Sequence, residues 1–445
     1  MLEFLNKNLF GPALPAALII CGLILTFKMR GSLLFHPIGI IKALLSKKAS
    51  SEKGERSAFA AATLALAGTL GVGNITGVAV AITAGGPGAI FWMWLSAIAA
   101  MPIKYAEIAL SVYYKNSGLP GAASYIADGL RGKFRKFSKL LAKLFLLLCV
   151  VSSFSLGNIV QVSAAADAAE YVFSLPPAIT GIAFAFVTFA VIRFGGDRGA
   201  DTFAMAVIPA LSAIYTLISI AIIVSNVGNL PGIFHDIISD ALSLPSVVGG
   251  ASGYAVLRFL QKPAVRFGTA RGIISNEAGC GTSPFAHQGR FESPAKEGLW
   301  GLYEVFADTI LLCTLTALVI LAAPIAPDLD GTALVIHAYT AGLGSLGSIG
   351  GGFIALSVVI YAAASVVCWS RYGIDGIGGL TKSKLAPKVY LIAYCGISVY
   401  GAIAADKTVW ELADAAISAM TILNTLCVVR LFSAKDADSS LFPKF

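Results

Sequence analysis

The 445-residue chain is 57% hydrophobic and only 13% charged, about half the charged share of a soluble domain, with a mean hydropathy of +0.81. Its formal net charge of +8 is spread over alternate loops rather than gathered on one face, which argues against a nucleic-acid surface. The bilayer is therefore the expected solvent, and the lack of period-2 alternation argues against a β-barrel.

The first apolar segment, residues 11–29, is followed by its basic residues Lys28 and Arg30, and no small-residue cleavage pattern comes after it, so it reads as a retained helix rather than a signal peptide. In the basic loop from Gly31 to Ser57, Leu33, Leu34, Ile38, Ile41 and Leu45 fall near helical spacing, and a short helix lying along the membrane is expected there. Further spans are expected at 58–85, 88–114, 138–173, 177–194, 202–225, 252–286, 299–323, 347–372, 386–404 and 408–432, giving roughly eleven in one membrane domain over 1–445. Lys and Arg fill every second loop, whereas the intervening loops hold Lys407 as their only basic residue. This predicts a multi-pass cell-membrane protein with its N-terminus outside and a cytoplasmic tail at 433–445. The seven cysteines lie singly in apolar segments, a pattern of packing rather than of metal or disulfide chemistry.

Two spans differ from the rest. The second, in "AGTLGVGNITGVAVAITAGG", places Gly68, Gly71, Gly73 and Gly77 within ten residues, with Asn74 and Thr76 between them. Each Gly costs a helix about 1 kcal/mol relative to Ala. Close packing through the Gly73/Gly77 GxxxG pair is one reading, but it leaves the polar Asn74 and Thr76 unexplained. A broken helix explains them, since irregular backbone at membrane depth survives only against protein or a wet cavity, where half-helix ends can hold an anion and loose carbonyls a cation. A dinucleotide fingerprint fails, because Thr76 stands where its last Gly is required. The seventh span, in "FGTARGIISNEAGCGTSPF", repeats the theme with Ser275, Asn276 and Glu277 before Gly279 and Gly281. Glu277, an ionisable group within a span, is a functional candidate for coupling or gating; a structural pair with Lys104, Arg266 or Arg271 is the competing reading. Each of these spans opens a block of five helices, 58–225 and 252–432, the arrangement expected of an inverted-repeat transporter.

Three further polar sets sit in apolar runs. Asn158 and Gln161 are one turn apart, so either a shared functional face or interhelical hydrogen bonding is expected. Ser365 and Trp369 also share a face, and Lys104 with Glu107 is spaced for an i,i+3 bridge.

The runs "GVGNITGVAVAITAGGPGAIFWMWLSAIAAMPIKYAEIAL", "GNIVQ", "ARGIISNEAGCGTSP" and the Trp of "VVCWSRYG" resemble the alanine or glycine:cation symporters, or amino acid carrier proteins, from about Phe59 to Trp410. The resemblance implies an all-α membrane protein of eleven helices with a five-plus-five, LeuT-like inverted repeat, its second and seventh helices discontinuous. It also implies uptake of small neutral amino acids with sodium, or with protons in some members, and no cofactor beyond the co-transported ion. Carried over by position, Gly71, Gly73, Asn74 and Gly77 lie in the unwound second helix, where the amino acid carboxylate would meet freed amides; Val72 and Thr76 belong to the same run. Gln161 matches a Gln facing the substrate, Trp369 the Trp that closes over it, and Ser365 a Thr whose hydroxyl, with carbonyls at Gly71 and Asn74, would hold sodium. Several positions depart from the family pattern: Val72 replaces Thr, Ile274 replaces Phe on the expected side-chain wall, Ala364 stands where Ser is common, the loop before the fourth span is reduced to "GLPGAASYIADGL", and "RFLQKP" brings Arg258 and a Pro263 expected to kink the seventh span.

The leading expectation is a sodium-driven symporter of alanine or glycine; the alternative is proton coupling through Glu277 or another small solute. No acidic ring or filter motif suggests a channel, no HExxH, GxSxG or paired catalytic carboxylate suggests a membrane enzyme, and no ATP-binding motif is present.

Overall fold

A computed structural model describes residues 1–31, 36–45, 63, 66, 68–130, 135–195, 199–243, 259–288, 293–324, 326–404, 407–434 and 438–443. Leu33, Leu34 and Arg258 lie outside the described residues. Among the described residues there are helices and no strands.

Helix α1 (Leu2–Lys28) precedes the two five-helix blocks in sequence and packs against the third and eleventh spans, one from each block. The amphipathic helix expected after it is α2 (Pro37–Leu45), which exposes Ile38 and Ile41 and buries Ile40. The second span is helical near Gly68 and Thr69, is interrupted by a 3-10 turn at Val72–Asn74, and resumes as α3 (Thr76–Gly85). Then follow α4 (Gly88–Tyr113), α5 (Ala123–Gly129), α6 (Lys136–Phe173), α7 (Pro177–Phe194), α8 (Gly199–Ser225) and α9 (Leu230–Leu242). The seventh span is α10 (Pro263–Asn276), a non-helical link, and α11 (Ser283–His287). The chain closes with α12 (Pro294–Ala322), α13 (Gly331–Gly342), α14 (Gly347–Leu380), α15 (Ala386–Ala404) and α16 (Lys407–Phe432).

Nine of the described helices are long and apolar enough to cross a bilayer. They account for every expected span except the second and the seventh, the two that are interrupted. Leu217, Phe186 and Ile392 are about two-thirds exposed along the outer belt, where lipid replaces water as the neighbour of apolar side chains.

Pro263 does not kink the seventh span. It is the first residue of α10, where the missing N–H would have had no helical partner and the fixed φ favours helix initiation. Three helices expected as loops, α5, α9 and α13, are short connectors that hold interrupted spans or helix ends. Asp240 at the end of α9 accepts from the Gly88 amide at the start of α4 (2.8 Å), and Gly86 turns there at φ 78° where a Cβ would stand 2.6 Å from the same carboxylate. Connectors α5 and α13 occupy the same place in the first and second five-helix blocks. Thr332 of α13 hydrogen-bonds Thr76 of α3 (2.7 Å), while Gln288, just after α11, binds the Gly121 amide (2.6 Å) and the Leu119 carbonyl (2.9 Å) leading into α5. Each connector is thus fixed to the interrupted span of the other block.

Candidate functional site: two interrupted helices meeting in the membrane

At the first interruption Gly71 is extended (φ −127°, ψ −153°). The Asn74 side chain closes the turn by accepting from the Gly71 amide (3.2 Å). The amide of Val72, released from the helix, donates to Gln161 Oε1 (3.0 Å). A Cβ on Gly71 would stand 2.6 Å from Ser365 Oγ and 2.8 Å from Gln161 Oε1, so Gly71, Val72, Gln161 and Ser365 are brought together at one point. Thr316 Oγ1 on α12 donates to the Asn74 carbonyl (2.8 Å).

The glycines divide into different roles. Gly73 presses on the last turn of α10, where its Cβ would lie 3.1 Å from Ser275 Cα. Gly77 has open space, with the nearest atom 3.9 Å from a built Cβ, so the GxxxG pair is not a packing face. Thr76 lines a vestibule of about 490 Å³ with Ser163, Asp167, Glu170, Asp330 and Trp410.

The second interruption runs from Glu277 to Thr282. Glu277, Gly279 and Gly281 have φ of 52°, 83° and 76°, left-handed backbone that ends a helix readily at glycine and with strain at glutamate. Lys104 Nζ donates to the Asn276 carbonyl (2.9 Å) at the end of α10, a cation at a helix C-terminus, and lies 3.6 Å from Glu304 Oε2. The expected Lys104–Glu107 bridge is therefore not made. Glu107 instead accepts from the Gly281 amide (3.0 Å) and Asn424 Nδ2 (2.9 Å), because tertiary partners at the interruption outcompete a neighbour on the same helix. Nor does Glu277 pair with a cation within 4 Å. Arg271 makes a two-pronged contact with Asp414 (3.0 and 3.3 Å), and Arg266 stacks on Phe267. Glu277 accepts from Thr282 Oγ1 (2.6 Å) and Trp369 Nε1 (3.0 Å).

Asn158 and Gln161 diverge. Asn158 lies in a π-helical turn at Ser155–Ile159 and donates to the Tyr394 carbonyl (2.9 Å), while Gln161 Nε2 donates to the Leu156 carbonyl in that turn (3.3 Å). That second bond fixes the Gln161 amide with its oxygen toward Val72. Ile274 is buried, its carbonyl near Gly73, and it lines a narrow crevice with Asn6, Leu14 and Ile417. Trp369 is fully buried one turn beyond Ser365.

Sequence reasoning missed Asp308. It lies in a π-helical turn of α12 (Phe306–Cys313), fully buried, and accepts from Asn74 Nδ2 (2.7 Å), Ser275 Oγ (2.6 Å) and Thr309 Oγ1 (2.8 Å). Thr309 Oγ1 in turn accepts from Asn276 Nδ2 (3.0 Å). One carboxylate on a third helix thus ties the two interruptions together. Glu304, one turn earlier, and His287 were also passed over; His287 bridges Glu297 and Glu304 at 2.7 Å on each side. The signal was present, since Glu304 and Asp308 lie inside an expected span, where an ionisable residue marks function by default.

Two half-broken spans brought together beside an amide, a hydroxyl and a carboxylate are the architecture of a secondary transporter. The chain belongs to the sodium:alanine symporter family, whose model matches residues 1–440. It is 31% identical to the sodium/alanine symporter AgcS of Methanococcus maripaludis, over 99% of this chain and 96% of that protein. It is 32% identical to a probable sodium/glutamine symporter, GlnT, of Bacillus subtilis, over 96% of this chain and 87% of that protein. In fold it resembles MhsT, solved in complex with L-phenylalanine, with a TM-score of 0.59 at 11% identity over 85% of this chain and 89% of that one. The chain is a multi-pass membrane transporter of LeuT-like fold, not an enzyme.

Proposed function

We propose that the protein carries a small neutral amino acid, alanine or glycine, across the cell membrane together with sodium, with its N-terminus outside and its C-terminus in the cytoplasm. One observation carries the reading: the first interruption meets the last turn of α10 at Gly73 and Ser275, two residues before the second interruption, with Gln161 and Ser365 closing on Gly71. The carboxylate would meet the amides at Val72 and Gly73, as anions do at half-helix N-termini, by displacing Gln161 Oε1 from the Val72 amide. Sodium would be held by carbonyls at Gly71 and Asn74 with Ser365, and the Asp308 carboxylate reaches the same turn through Asn74 Nδ2 (2.7 Å). Gln161 and Trp369 flank the side chain, Thr76 lines the way in from the vestibule, and Trp369 closes the site. Small-residue crowding excludes larger solutes, since added methylenes meet close-packed walls. The relatives named for sodium with alanine or glutamine support this class of cargo.

The test is uptake by proteoliposomes. Radiolabelled alanine should accumulate only under an inward sodium gradient. Accumulation under a pH gradient without sodium would transfer the coupling role to a proton at Glu277, and ion flux without amino acid would refute symport.

A further inference from the structure

Glu277 is the one non-glycine residue holding left-handed backbone within the seventh-span interruption. The residue is 3% exposed, and its carboxylate reaches across to α14, where the Trp369 indole N–H donates to it. Trp369 is also pressed onto α6: a Cβ on Gly157 would stand 2.4 Å from Trp369 Cγ. One turn from these contacts the same two helices hold the other interruption, with Ser365 of α14 and Gln161 of α6 both meeting Gly71. The contacts close a ring: Glu277 to Trp369, along α14 to Ser365, across Gly71 to Gln161, and back along α6 to Gly157 beneath the indole.

We infer that Glu277 is a positioning residue that latches Trp369, and that this latch links the geometry of the seventh-span interruption to closure over the second. The inference rests on the transport reading in taking Trp369 as the lid, but the latch can be observed with no solute present. A carboxylate is suited to the task because a hydrogen bond to a charged group in a dry interior is stronger than one between neutral groups. The backbone strain at Glu277 is tolerated because Thr282 and Trp369 hold its side chain on both sides.

The test uses full-length protein carrying 5-fluorotryptophan, whose five fluorine resonances include that of Trp369, identified by its loss in Trp369→Phe. Glu277→Met keeps the side-chain length without an acceptor, and Glu277→Gln keeps the acceptor. In Glu277→Met the Trp369 resonance should shift and broaden, and turnover should fall by about ten- to a hundredfold, the equilibrium weight of one charge-assisted bond. Glu277→Gln, with a neutral acceptor, should recover part of both, leaving turnover about three- to tenfold below wild type. Trp369→Phe, which keeps a ring but no N–H, should lose turnover to a similar degree, and adding Glu277→Met to it should cost little more. If Glu277→Met fails to fold, the Trp369→Phe and Glu277→Gln pair still decides. A resonance and turnover unmoved in Glu277→Met, or additive losses in the double variant, would overturn the latch. Failure of the wild-type protein to take up alanine, with the resonance responding as described, would instead refute the transport reading and leave the latch standing.

Discussion

Gly71 and Gly77 belong to the same glycine-rich run, yet replacing each by Ala should have opposite outcomes. At Gly71 the backbone is extended and open to any residue, so the obstacle is space: the new methyl would stand 2.6 Å from Ser365 Oγ and 2.8 Å from Gln161 Oε1. Overpacking of that kind costs about 1–3 kcal/mol. Moving Gln161 also loses its bond from the Val72 amide, worth about 0.5–1.5 kcal/mol. The sum, about 1.5–4.5 kcal/mol, corresponds to roughly a 10- to 2,000-fold loss in site competence. At Gly77 the nearest atom is 3.9 Å away and the residue sits inside α3, so Ala should stabilise the helix by about 0.5–1 kcal/mol and leave the site alone. Sodium-driven alanine uptake and thermal unfolding of the two purified variants compare them directly. Gly71→Ala should be monodisperse but nearly inactive, and Gly77→Ala active with an unchanged or raised melting temperature. Normal uptake in Gly71→Ala, or losses in Gly77→Ala as large as those in Gly71→Ala, would refute the assignment of the solute site to the Gly71 end of the run.

Asp308→Ala removes the acceptor shared by Asn74, Ser275 and Thr309, so a fall in stability of about 1–3 kcal/mol is expected; a melting temperature equal to wild type would remove it from the connection between the interruptions. Pro263→Ala should change stability by less than about 1 kcal/mol, because a proline that begins a helix blocks no bond, whereas an interior kink would make the change near 3 kcal/mol. Ser365→Ala should raise the sodium concentration giving half-maximal uptake by roughly three- to tenfold, the weight of one neutral ligand oxygen, and sodium dependence identical to wild type would exclude that hydroxyl from the ion site.

The interruptions were legible because their cause is local: glycines weaken a helix wherever they stand, and Asn74 or Ser275 in lipid needs a partner. Span positions were legible for the same reason, since the length of an apolar run sets where a helix can cross. What the sequence concealed depended on tertiary competition. Lys104 is spaced for Glu107, yet Glu304 and a bare helix end at Asn276 offer more. Asn158 and Gln161 share a face on an ideal helix, but the intervening π-turn shifts the phase, and no residue type announces such a turn. Asp308 was hidden by its apolar surroundings in "FADTILLC", although the reasoning applied to Glu277 covers it equally.

The crosswise anchoring of α5 and α13 has a mechanical corollary. Since each connector is tied by hydrogen bonds to the interrupted span of the opposite five-helix set, neither set can tilt without straining the connector of the other. A lesion in either connector should therefore be felt at the distant interruption.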